Sequence, residues 1–126
     1  MRARGEGLAC ATYVNDEIAG YIILDIHGKK HGQLHYGLAP SHRGRGIVTK
    51  ACAALIEYAF GHLKLESIKI IVRASNERSC RVPERLGFQK LSTEWAHDED
   101  EDGPLIQVAE YIMTRGAWQG RQGGRN

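Results

Sequence analysis

The sequence predicts one mixed α/β (α+β) domain: a twisted, mainly antiparallel sheet with a parallel strand pair at its centre and two main helices. Three observations carry this. Stretches of period two occupy both ends of the chain, a long stretch of helical period lies between them, and a nearly continuous β-branched run follows that helix. At 126 residues with 42% apolar content, the chain has room for one core.

The elements follow in order. Leu8 to Val14, Ile18 to His27 and Gln33 to Leu38 alternate apolar and polar residues, and Asn15-Asp16 and Gly28-Lys29-Lys30-His31-Gly32 separate them as turns. An antiparallel meander results. Over residues 47 to 63 the period becomes helical: Ile47, Ala51, Leu55 and Tyr58, flanked by Val48, Cys52, Ala59 and Leu63, form one apolar stripe. Ser67 to Val72 contains Ile68, Ile70, Ile71 and Val72 and reads as a buried strand. This completes a βαβ unit, whose right-handed crossover makes strands 33–38 and 67–72 parallel. Ser75-Asn76 offers an N-cap, and the helix Glu77 to Leu86 ends at Gly87-Phe88, where glycine suits the left-handed position. Pro83 removes an N–H inside that helix, at a cost of about 3 kcal/mol in a regular interior, and predicts a kink or a short 3₁₀ turn. Gln89 to Trp95 and Ile106 to Met113 form a closing hairpin across the acidic run Asp98-Glu-Asp-Glu-Asp102 and the pair Gly103-Pro104. Trp95 and Trp118 are assigned to sheet packing. The domain is expected over residues 1–118, with 119–126 a disordered Gly/Arg-rich tail too poor in apolar residues to order itself.

Composition excludes several function classes. The 17 basic and 15 acidic side chains leave +2, too little to favour nucleic acid or an acidic membrane as a general partner. No apolar run approaches the roughly 20 residues of a membrane span, and Met1-Arg-Ala-Arg-Gly does not lead into a secretion signal. A cytoplasmic location is expected. Cys10, Cys52 and Cys80 are odd in number, far apart and without a CxxC pair, so neither a disulfide framework nor a metal site is expected.

The connection Pro40-Ser-His-Arg-Gly-Arg-Gly-Ile47 joins a strand's C-terminal end to a helix start. Its glycines allow close backbone approach, the first helical amides lack intrahelical acceptors, and Arg43 and Arg45 add positive charge to that of the helix dipole. A phosphate or pyrophosphate is the natural guest, although Gly44-Arg45-Gly46 taken alone is equally a tight connection. No GxxxxGK[ST] motif is present, and no third glycine completes a GxGxxG pattern.

A second motif, Asn76-Glu-Arg-Ser79-Cys-Arg-Val-Pro-Glu-Arg-Leu-Gly87-Phe88, follows the βαβ unit. Together with Arg43-x-x-Gly46-x-Val48 it resembles the GNAT N-acetyltransferase superfamily, and most of all its RimJ/RimL-type ribosomal-protein acetyltransferases, from near Leu8 to Trp118. The resemblance implies acetyl-CoA as co-substrate and no metal. It implies that the two parallel strands splay apart over 33–39 and 67–73, and that Leu38 and Ala39 pair with the pantetheine arm like an added strand. It also implies that amides of Arg43, Gly44, Arg45, Gly46, Ile47, Val48 and Thr49 hold the pyrophosphate, and that Asn76 and Ser79 face the arm near its thioester. Four departures stand out. Pro83 occupies the place of the family's usual tyrosine acid. Gln33 and His35 lie where a glutamate base is common. Val48 replaces a small residue and is expected to tighten the phosphate turn. The family's first strand and two helices, which wall the acceptor cleft, are not expected in this chain.

Acetyl transfer to an amine needs a neutral amine, a donor for the developing oxyanion and a proton for the departing thiolate. Ser79 is the candidate donor to the sulfur, and His35, as the imidazole on that strand, the candidate base. A cap or surface role for Ser79 and an inward structural histidine are the plain alternatives. The acceptor is expected to be a primary amine, such as a protein N-terminus or a polyamine, attacking directly in a ternary complex; the acidic run 98–102 is a candidate attractor. The competing reading is a truncated GNAT-like module that binds CoA without turnover. A homodimer is the expected assembly, because a second copy can cover a bare strand edge.

Overall fold

The computed structural model describes residues 6–14, 17–28, 30–38, 47–97 and 104–123. The strands β1 (Glu6–Val14), β2 (Glu17–His27) and β3 (His31–Leu38) form the expected meander, antiparallel throughout. Helix α1 (Ile47–Gly61) crosses to β4 (Ser67–Arg73), which lies parallel to β3. After α2 (Glu77–Leu86), β5 (Gln89–His97) and β6 (Leu105–Thr114) form the hairpin, and α3 (Arg115–Gly123) follows. β6 enters between β4 and β5, so the sheet order is β1-β2-β3-β4-β6-β5. The acidic run 98–102 and Gly103 lie outside the described residues.

One core sits on one face of the sheet. Strand alternation sends Ile22, Leu24, Leu34, Ile68, Ile70, Tyr111 and Met113 to that face, where they meet Val48, Cys52, Ile56, Ala59 and Phe60 of α1 and Val82 of α2. The α1 stripe is therefore centred further round the helix than expected. Tyr58 lies outside it, 43% exposed, and stacks on His62 with ring centroids 4.8 Å apart.

Two expectations are corrected. Of the expected disordered tail 119–126, residues 119–123 belong to a helix that begins at Arg115, where Trp118 supplies an apolar anchor by stacking on Phe60 at 5.5 Å, and 124–126 lie outside the described residues. The other tryptophan, Trp95, does not pack on the sheet: it sits on the edge strand β5 and is 64% exposed.

Candidate functional site

The centre of the sheet opens into a notch. Register pairs between β3 and β4 run from His31↔Ser67 to Leu34↔Ile70 and stop, although the strands continue to Leu38 and Arg73. The closed end is fastened. The Lys30 carbonyl accepts from the amides of Glu66 at 2.6 Å and Ser67 at 3.4 Å, and His31 Nδ1 lies 2.7 Å from Ser67 Oγ. The diverging ends keep their outer neighbours: β2 pairs with β3 up to Gly20↔Leu38, and β6 pairs with β4 up to Val108↔Arg73. The divergence is thus a splay between two supported strands, as the resemblance implied over 33–39 and 67–73.

Helix α1 follows the Arg/Gly connection in sequence and crosses from β3 to β4. Its first turn carries no acidic side chain, so nothing there opposes an anion at amides that lack intrahelical acceptors. Ile47, Val48 and Thr49 open the helix. Val48 is 6% exposed and belongs to the core, and the phosphate turn it was expected to tighten lies outside the described residues. Ala39, Arg43, Gly44, Arg45 and Gly46 lie outside the described residues, and Leu38 is described as the last residue of β3.

On the other side stands α2. Asn76 is its N-cap, with extended backbone and Oδ1 accepting from the Ser79 amide at 3.1 Å. The C-terminus closes as a Schellman motif: Gly87 adopts φ 89°, its amide donates to Glu84 O, and the Phe88 amide donates to Pro83 O at 2.9 Å. Between these caps the expected 3₁₀ turn does not appear, for α2 is α-helical through Pro83. The carbonyl left without an amide donor by Pro83 is that of Ser79, and the Tyr36 hydroxyl donates to it at 2.8 Å. Burial pushes the Tyr36 hydroxyl well above its ordinary 10.0, with Cys52, Cys80 and Tyr111 adding to the shift, so it remains protonated and able to donate.

His35 points the opposite way from its neighbours Leu34 and Tyr36. On the sheet face away from the core, its Nε2 lies 3.3 Å from Asp25 Oδ2 on β2, both side chains being about half-exposed. The Tyr21 ring covers Gly37 on that face closely enough to leave no room for a Cβ there. The structure therefore joins Asn76 to Ser79 and Ser79 to β3, and places His35 on the far face beside Asp25. Tyr36, Asp25 and Tyr21 escaped the sequence reading. Only Tyr36 had a sequence signal: a proline within a helix demands another donor for the carbonyl four residues earlier. Among the described residues no group of three or more His, Cys, Asp or Glu side chains could hold a metal ion, and no helix is long and apolar enough to cross a membrane.

Residues 1–89 match the family model described as "Acetyltransferase (GNAT) domain". The "Putative ribosomal N-acetyltransferase YdaF" of Bacillus subtilis (strain 168) is 42% identical over 124 residues, covering 92% of this chain and 64% of its own length. A crystal structure titled "Probable acetyltransferase" superposes with a TM-score of 0.77 at 30% identity, over 89% of this chain and 64% of its own. The microcin C7 self immunity acetyltransferase MccE, solved in complex with acetyl-CoA and AMP, gives a TM-score of 0.74 at 25% identity, over 86% of this chain and 61% of its own. The chain thus spans a little under two thirds of the length of these proteins.

Proposed function

The chain belongs to the GNAT acetyltransferase family, and from that premise we propose that it transfers an acetyl group from acetyl-CoA to a primary amine by direct attack in a ternary complex. The observation that carries the proposal is the splay: two supported strands whose mutual pairing ends at Leu34 and Ile70. Main-chain groups beyond that point suit the amides of a pantetheine arm, which would lie between the strands as an added strand does at a sheet edge. In this reading the backbone near Leu38 and Ala39 pairs with the arm, and the amides from Arg43 to Thr49 hold the pyrophosphate at the start of α1. The acid-free first turn and the inward Val48 both fit an anion there.

When bound, acetyl-CoA supplies an activated acyl group on a thiol leaving group. Ser79, at the first turn of α2, donates a hydrogen bond to the departing sulfur, while Asn76 orients the arm. His35, held by Asp25 on the far face, accepts the amine proton directly or through water as the amine approaches from that side. Positioning supplies much of the rate, since holding an amine near-attack on a thioester is worth about 7–11 kcal/mol. For the acceptor, the ribosomal name of the Bacillus relative supports a protein N-terminus ahead of a polyamine. A cytoplasmic homodimer, with a second copy along an edge strand, belongs to the same proposal.

The test is release of free CoA thiol from acetyl-CoA with N-terminal peptides, polyamines, aminoglycosides and arylamines as acceptors. We expect release with an amine, and a fall in kcat of at least tenfold on Ser79→Ala, about the effect of one transition-state hydrogen bond. Binding of acetyl-CoA without thiol release from any acceptor would favour the module without turnover. Full activity in the alanine variant would remove Ser79 from its role.

A further inference from the structure

Helix α2 is capped at both ends. Asn76 Oδ1 takes the Ser79 amide, Asn76 O takes the Cys80 amide at 3.0 Å, and the Schellman bonds take the carbonyls of Glu84 and Pro83. Pro83 creates one further demand in mid-helix. Its ring nitrogen has no hydrogen, so the Ser79 carbonyl loses the amide that would ordinarily meet it. Such an orphan usually finds water or bends the helix. Here Pro83 is buried, α2 runs on as α-helix and the Tyr36 hydroxyl meets the carbonyl at 2.8 Å.

The place from which that hydroxyl comes gives the bond its meaning. Tyr36 lies on β3 two residues beyond Leu34, the last residue paired with β4, and so on the diverging part of the strand. The bond therefore spans from one lip of the notch to the first turn of the helix on its other side, and it holds the residue expected to face the thioester. We propose that Tyr36 and Pro83 form a matched pair in which the proline frees the Ser79 carbonyl and the tyrosine takes it, so that Ser79 is positioned by β3 instead of by its own helix. Tyr36 is then a positioning residue. One hydrogen bond thus fixes Ser79 relative to the lip of the notch. This inference rests on the acetyltransferase reading for its functional half only; the shared carbonyl stands on geometry.

A four-protein cycle tests both halves: the natural protein, Tyr36→Phe, Pro83→Ala, and the two changes combined. Urea unfolding reads the carbonyl, and calorimetric titration with acetyl-CoA, together with the separation of kcat from KM, reads the positioning. Tyr36→Phe leaves the carbonyl unsatisfied, and we expect a lower unfolding midpoint and acetyl-CoA binding about tenfold weaker. The alanine at position 83 restores an amide to that carbonyl, so the combined variant should recover the midpoint relative to Tyr36→Phe. It should not recover acetyl-CoA affinity, because the link to β3 is still missing. Recovery of both would reduce Tyr36 to a helix-satisfying group and overturn the positioning role. Additive losses of stability would show that the two residues do not share the carbonyl and would overturn the pair. If Tyr36→Phe fails to fold, Pro83→Ala and the combined variant still decide, since both supply the amide and differ only in the tyrosine. A natural protein that does not bind acetyl-CoA would defeat the acetyltransferase reading and the positioning role, while the unfolding arm would still decide whether the carbonyl is shared.

Discussion

Asn76 shows how a single side chain can serve structure and chemistry with different atoms. Its Oδ1 is committed to the Ser79 amide, so any contact with an acyl donor falls to the side-chain nitrogen. The two duties can be separated. Asn76→Asp keeps a capping oxygen, and we expect its stability to stay within a few tenths of a kcal/mol of the natural protein while acetyl-CoA binding weakens. Asn76→Ala should lose both, including about 1 kcal/mol of stability in urea. If the aspartate variant binds acetyl-CoA as well as the natural protein does, Asn76 is only a cap. This residue and Ser79 were legible in the sequence because cap chemistry is local and the motif is contiguous. Tyr36 and Asp25 were not: each owes its place to a partner on another element, Tyr36 to Ser79 of α2 and Asp25 to His35 of β3.

At the level of elements, periodicity sufficed wherever a face was decided by near neighbours. The ranges of α2 and β4 match the expectation to within a residue, because a cap, a Schellman glycine and a β-branched run mark their ends. Helix α3 carried no such marks. Its order comes from Trp118 on Phe60, and Arg121 adds a contact over Gly87, the left-handed residue closing α2. Neither partner is near in sequence, so a reading of local composition had to miss them. Fully buried tryptophans cost about 3–5 kcal/mol on truncation to alanine; for the half-buried Trp118 we expect about 2 kcal/mol for Trp118→Ala, read as a shift of the urea midpoint. A tail of no structural consequence would show no shift.

Among the described residues, the titratable groups raised by burial lie on the helix side of the sheet. Burial pushes the Cys52 thiol up from 9.0 to about 12 and raises the Tyr36 and Tyr111 hydroxyls well above 10.0, with Cys80 and Glu84 adding to the rise at Tyr111. The sign follows from proton binding. Above about pH 9 the unfolded chain loses these protons while the folded protein retains them, so the folded state binds more protons and stability falls as pH rises. We expect a urea midpoint insensitive to these groups below pH 9 and declining from pH 9 towards 11; a flat profile over that interval would contradict their burial. The sheet order was less legible than its strands, for the insertion of β6 between β4 and β5 is a pairing of distant segments that no local period encodes.

Both lips of the central notch are already fixed from outside, β3 by its ladder to β2 through Leu38 and β4 by its ladder to β6 through Arg73. A molecule laid between them would meet polar groups that no longer have conformations to choose among. The ordering entropy of such an encounter falls almost wholly on the incoming arm, and a flexible chain can then be gripped without any rearrangement of the sheet that receives it.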